Sequence, residues 1–201
     1  MAFATMATRS AGYVVPASEW NQLIANDNYL KGAVSAQIFF SAAGMAPRVS
    51  NGCAPLATTS MGTNKQDIKT LNFDPNTIEV AESVLFIMPS DYNGGTFTYK
   101  IIYTHAAATT NFGIVWDVNA VAYASNTFLD AAFGTLVEVN DADGGTLTCC
   151  ITPASAAVTP GGAPAAGCGM IIQVMRYASH ASDTLAIDAM LIGLQLTYTR
   201  I

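Results

Sequence analysis

The sequence predicts an all-β protein: an antiparallel, jelly-roll-like β-sandwich with a short N-terminal helix and an extended arm. Three observations predict it. The first is residues 97–124, FTYKIIYTHAAATTNFGIVWDVNAVAYA, which divide into two strands around a small polar connection. Phe97, Tyr99, Ile101 and Tyr103 share a face of one strand, and Phe112, Ile114, Trp116, Val118, Ala120 and Ala122 share a face of the other. Period-two alternation of this length marks half-buried antiparallel strands. The second is the recurrence of strand-length runs between turn signals after residue 65, about eight or nine in all. The third is the lack of helical periodicity among those runs, which leaves a sandwich or jelly roll as the fitting architecture.

The elements follow in order. Residues 1–15 read as irregular and extended. Residues 16–32, PASEWNQLIANDNYLKG, read as the one clear helix. Ser18 is the N-cap candidate, because its hydroxyl can accept a bond from an orphan amide of the first turn. Glu19 lies where the helix dipole favours negative charge. Trp20, Leu23 and Ile24 fall on one face, Leu30 extends it, and Gly32 stops the helix. A helix of about four turns is marginal alone in water, so this one must pack on something. Residues 33–40, AVSAQIFF, suit a strand, and 41–65 carry the Ala, Gly, Ser, Thr, Asn and Pro of a linker or wrapping arm. The expected organisation is therefore an arm and helix over 1–65, serving docking and oligomerisation, and a sandwich over 66–201.

Within the sandwich, strands are expected at 68–73, in one or two pieces over 77–88, and in the two halves of 97–124. Further strands are expected at 133–140, 145–151, 168–177 and 183–199. Turns fall at SDYNGG (90–95), DADGG (141–145) and ASHASD (178–183), with a Pro, Ala and Gly loop over 152–167. In the last strand Leu185, Ile187, Ala189, Leu191, Gly193 and Gln195 alternate with a second set. Both sets are largely apolar from Met190 onward, as suits a central strand covered on both faces.

Composition narrows the function. The chain has 201 residues, room for one sandwich. Charged residues make up 11%, against about 25% in ordinary soluble domains, and hydrophobic residues 51%. So neutral a surface is expected to be hidden against copies of itself or a partner. The net charge is −6 and the eight Lys and Arg are scattered, so no basic stripe offers a nucleic-acid footprint. The N-terminal residues lack a cationic start followed by an apolar core, so no secretory signal is expected. No apolar run reaches the roughly 18 residues of a membrane span, and a soluble protein is expected.

Candidate chemistry is sparse. Cys53, Cys149, Cys150 and Cys168 form no metal pattern. Cys149 and Cys150 should point to opposite faces of a strand, one of them into the core. A Cys150–Cys168 disulfide stays open, with thiols kept reduced in a cytoplasm the simpler reading. Ser179 or Ser182 with His180 and Asp183 can be written as a triad, but triad members converge from separate elements, not from one turn. His180 reads as a solvated turn residue, and His105 ends a strand. Asp141 and Asp143 in NDADGG (140–145) resemble the start of a calcium loop without its distal ligands, and a hairpin loop is the simpler account. The tyrosines are scattered as packing residues. Asp117, Glu138 and Asp188 are carboxylates that the sequence does not bring into a cleft. No catalytic residue, cofactor or metal ligand is assigned, and the chain is expected not to be an enzyme.

Two stretches carry a resemblance. THAAATTNFGIVWDVNAVAYASN, then DAAFGT, then SDTLAIDAMLIGLQLTYT, resembles a β-domain of tailed-bacteriophage virion proteins built on a W-T-H…TTNFG…W core. VVPASEWNQLIANDNYLKG is similar to an N-terminal segment of phage tail and head appendage proteins. The departures are Tyr103, where Trp is common, and the cysteines at 149 and 150. The resemblance implies a non-enzymatic, trimeric virion component, assembled in the host cytoplasm. A short chain with one β-domain and no repetitive shaft favours a capsid decoration or cement protein. Its partners would be itself, as a homotrimer, and other virion proteins such as the major capsid protein. Docking and oligomer contact fall to Trp20, Leu23, Ile24 and Leu30. The alternative is a tail fibre or receptor-binding tip that recognises host surface glycan through its loops. A second class is a monomeric carbohydrate-binding module of cellular origin, which needs an aromatic platform.

Overall fold

The computed structural model describes residues 11–32, 35–106, 112–142 and 144–201. In chain order they form α1 (Ala17–Gly32), β1 (Ser35–Ser41), β2 (Met45–Pro47), β3 (Ala57–Ser60), β4 (Asp67–Phe73), β5 (Glu79–Ser83) and β6 (Phe86–Ile87). There follow β7 (Tyr92–Thr104), β8 (Gly113–Tyr123), β9 (Val137–Ala142), β10 (Cys150–Ile151), β11 (Gly161–Gly162), β12 (Gly169–Arg176) and β13 (Ala189–Arg200). The expected extended start at 1–10 and the centre of the polar connection, 107–111, lie outside the described residues.

The chain is an all-β sandwich with one short helix. The first sheet runs β10-β7-β13-β4-β3, with β1 also on β13. The second runs β11-β8-β12-β5-β2, with β6 on β12 and β9 on β8. Every pairing between strands is antiparallel except the short β11–β8 contact. The sheets begin at Ser35, inside the segment expected to act as an arm: β1 pairs with β13, β2 with β5 and β3 with β4.

The two strands of the 97–124 stretch do not pair with each other. β7 lies on β13 in the first sheet, and β8 on β12 in the second. Alternation fixes which face is apolar and says nothing about which strand lies alongside. Their apolar faces meet across the sandwich, where the Trp116 indole sits 5.9 Å from the Tyr103 ring and 5.2 Å, edge-on, from Phe73. Strand β8 is buried on both faces from Ile114 to Tyr123, more deeply than its alternation implies. The NDADGG segment likewise fails to make a hairpin: β9 belongs to the second sheet and β10 to the first, so the chain crosses between sheets there.

Strand β13 is central, as expected, with β7 along one side and β4 then β1 along the other. Its pairing with β7 skips at Ile192. A bulge of this kind inserts one residue and reverses the phase of alternation. Ala189 and Leu191 face the core before it, and Leu194, Leu196 and Tyr198 after it. This phase reversal is why both alternating sets of that strand are apolar.

Candidate functional surfaces

Helix α1 starts on the Pro16 carbonyl, which accepts bonds from the Glu19 and Trp20 amides at 3.0 and 3.2 Å. Ser18 therefore lies inside the first turn and does not cap it. The Tyr13 hydroxyl donates to Glu19 Oε1 at 2.9 Å and Gln22 Nε2 to Asn26 Oδ1 at 2.9 Å. The polar side of the helix faces its own chain, with Asn26 buried and Gln22 and Ala25 half-buried. Four large apolar residues face out, with exposed Asp27 among them: Trp20 is 56% exposed, Leu23 41%, Ile24 57% and Leu30 53%. The four residues singled out from sequence thus share an outward, uncovered face. A surface helix usually turns its large apolar residues to the core, and this one leaves these four exposed.

A second surface was not legible in the sequence. Across the outer face of the first sheet run two adjoining cavities, of about 680 and 330 Å³, which share Leu147 as a wall. The larger is bordered by Asn72, Asp74, Ile187, Asp188 and Met190. The smaller is bordered by Met61, Ile68, Thr104, Cys149 and Ile192. The β3–β4 hairpin forms one side and the loop leading to β10 the other. The bulge at Ile192 and the loop over 147–149 that leads to β10 build this groove, and neither has a sequence signature.

One end of the groove is acidic. The backbone amide of Asn76 donates to Asp74 Oδ1 at 2.6 Å and that of Thr77 at 3.1 Å, and these bonds hold the Asp74 carboxyl below the usual carboxylate range. Nearby Glu79 is shifted the other way, by burial first and then by the charges of Asp74 and Asp188. At the other end Cys149 is exposed, while Cys53, Cys150 and Cys168 are buried; all four are free thiols. Of the adjacent pair, Cys150 is the one in the core, and strand β10 starts at it rather than before Cys149. Between the ends, Thr104 is 3% exposed and its hydroxyl has no hydrogen-bond partner.

On the outer face of the second sheet, Asp117 and Glu138 stand directly opposite each other on β8 and β9. His180 Nε2 lies 3.7 Å from Glu138 Oε2, and its ring packs on Tyr177. Burial raises the pKa of Asp117, Glu138 adds to the rise, and His180 opposes it. The folded chain therefore holds that proton more tightly than the unfolded chain does. Ionising Asp117 costs folding free energy as pH rises from the ordinary carboxylate range through the raised value, and the loss is complete above it. Asp117→Asn is expected to stabilise the protein at neutral pH and to flatten that acid-side slope. Melting curves for both proteins between about pH 4 and pH 8 test this, and parallel curves would count against it.

The remaining candidates have structural partners. His105 is fully buried, with Nε2 2.9 Å from the Gly144 carbonyl and its ring edge-on to Phe112. Asp141 accepts a bond from the Tyr103 hydroxyl at 3.1 Å; Asp143 lies outside the described residues. Among the described residues no group of three His, Cys, Asp or Glu side chains could hold a metal. No described helix is long and apolar enough to cross a membrane. Tyr92, Tyr99, Tyr103, Tyr123 and Tyr198 are buried and form no exposed platform. Asp183 belongs to Arg176, not to His180. The Arg176 guanidinium is fully buried and holds both Asp183 oxygens, at 2.8 and 3.1 Å, together with the carbonyls of Phe73, Leu185 and Ile187. It pins the 177–188 loop to β4 and β12.

Compared with known proteins, the chain matches no family model and no curated protein.

Proposed function

We propose that this chain is a non-enzymatic structural protein of a tailed-bacteriophage virion, a homotrimeric capsid decoration or cement protein assembled in the host cytoplasm. The observation that carries the reading is the exposure of the helix's large apolar residues. A helix that turns Gln22 and Asn26 inward and Trp20, Leu23, Ile24 and Leu30 outward is arranged for another molecule. Apolar residues exposed side by side, as Trp20, Leu23 and Ile24 are, form the kind of contiguous patch that marks association surfaces. The low charge content and the resemblance of the 104–126 and 182–199 stretches point the same way. Catalysis forms no part of the proposal, because the best-placed acidic and basic side chains serve packing: Arg176 with Asp183, Tyr103 with Asp141.

Among the described residues the sheets start at Ser35, so removing residues 1–32 removes no described strand. The truncated chain is expected to keep its β-rich circular dichroism spectrum and its cooperative melt while losing attachment to the particle. Wild-type attachment by the truncated protein would overturn the docking role of the segment. Fractionated virions decide the position: recovery with heads is expected, and recovery only with tails would favour the receptor-binding tip instead.

A further inference from the structure

The groove on the outer face of the first sheet combines an acidic end, an apolar remainder and a buried hydroxyl without a partner. The acidic end, Asp74 and Asp188, suits a cation, and Met61, Ile68, Leu147 and Ile192 suit apolar side chains. Thr104 supplies the unpaired hydroxyl at its floor, and a buried polar group without a partner is costly until something satisfies it. Asp188, just ahead of β13, and Ile192 within it mark the two ends, so the groove is about 13 Å long at about 3.3 Å per residue.

The chain's own sequence contains a matching segment. Arg9 precedes Tyr13 and Val14 in RSAGYV, a cation followed by apolar residues. Extended, residues 9 to 14 span about 17 Å, enough to run the groove from end to end. Val14 is 85% exposed on its own chain, and neither Tyr13 nor Val14 borders either cavity, so these two residues are not seated in their own groove.

We infer that this groove seats residues 9–14 of a second copy of the chain, with Arg9 at the Asp74–Asp188 end and Tyr13 and Val14 over the Met61–Ile192 half. The inference rests on the reading of the N-terminal segment as a contact between subunits and names where that contact lands. Charge complementarity selects the direction, and the apolar half provides the burial. Each copy both gives and receives a segment, which closes into a ring if the rotation between copies allows it.

Cys149 makes the test direct, because it is the exposed thiol at the apolar end. A Val14→Cys, Cys149→Ser chain is mixed with wild-type chain, and disulfide formation under mild diamide oxidation is followed on non-reducing gels. A Val49→Cys, Cys149→Ser chain serves as the collision control, since Val49 is fully exposed. The expected result is a cross-linked pair of chains forming at least about tenfold faster than in the control, an advantage of the size that a seated contact gives in effective concentration. Asp74→Asn with Asp188→Asn should remove most of that advantage. A cross-linking rate equal to the control would overturn the inference, as would a disulfide confined to single chains when Cys149 and Val14→Cys are placed together. Light scattering on the same samples keeps the two readings apart: a stable oligomer without the cross-link refutes this groove contact and leaves subunit association standing, and a monomer refutes both.

Discussion

Replacing Arg176 with Ala should cost about 3–5 kcal/mol of stability, the usual consequence of removing one member of a buried ion pair. For a chain of this size that is a fall in Tm on the order of 10 °C. The Arg176 and Asp183 side chains are 0% and 1% exposed, so neither charge has water to fall back on. Asp183→Asn keeps the shape of the site but leaves the guanidinium without its counter-charge, and a loss of similar size is expected. The double variant Arg176→Met, Asp183→Leu should be less damaged than either single one, because no orphaned charge remains. Denaturant unfolding of the three variants measures this. Single losses below about 1 kcal/mol would show that the guanidinium does not pin the loop, since breaking a buried pair normally costs several times that.

The second large effect is at Trp116. Truncation to Ala should cost about 3–5 kcal/mol, through lost burial and a cavity between the sheets where Phe73 and Tyr103 now contact the indole. The Trp116 Nε1–H has no acceptor in the core. Trp116→Phe keeps a ring against both neighbours and removes that unsatisfied donor, so its cost should stay below about 1.5 kcal/mol. Equal losses for the Ala and Phe variants in urea melts would mean that the indole N–H makes a bond essential to the core.

Much of the fold could be read from residue order because the β-strands here are amphipathic and their turns are marked. Phe97, Tyr99, Ile101 and Tyr103 are all buried as their spacing predicts, and so are Ile114, Trp116 and Val118. Alternation is a property of one strand, however, and pairing is a property of two. Nothing in residues 97–124 distinguishes a hairpin from a crossing between sheets, so β7 and β8 were placeable on faces but not in sheets. The Arg176 anchor did leave a trace. Met170, Ile172 and Val174 point inward, and the same period-two count sends Arg176 into the core, where a guanidinium requires a carboxylate. Asp183 was the nearest downstream candidate but stood beside His180 in the sequence. For the surfaces the pattern is similar. The apolar face of α1 was visible as Trp20, Leu23, Ile24 and Leu30, whereas its outward direction depends on which side of the helix the sandwich accepts. The groove depends on a bulge and a loop crossing, which are decided by tertiary packing.

The position of β13 has a consequence for how the protein is made. It follows every other described strand in chain order, yet it is the strand on which β1, β4 and β7 all close. Until residues 189–200 leave the ribosome, three strand edges stay open, and the first sheet has no middle. Contacts of such long sequence separation form slowly and hold the chain in aggregation-prone states meanwhile. The first sheet is therefore completed only once β13 has been made, and no chain that stops short of residue 189 can present it finished.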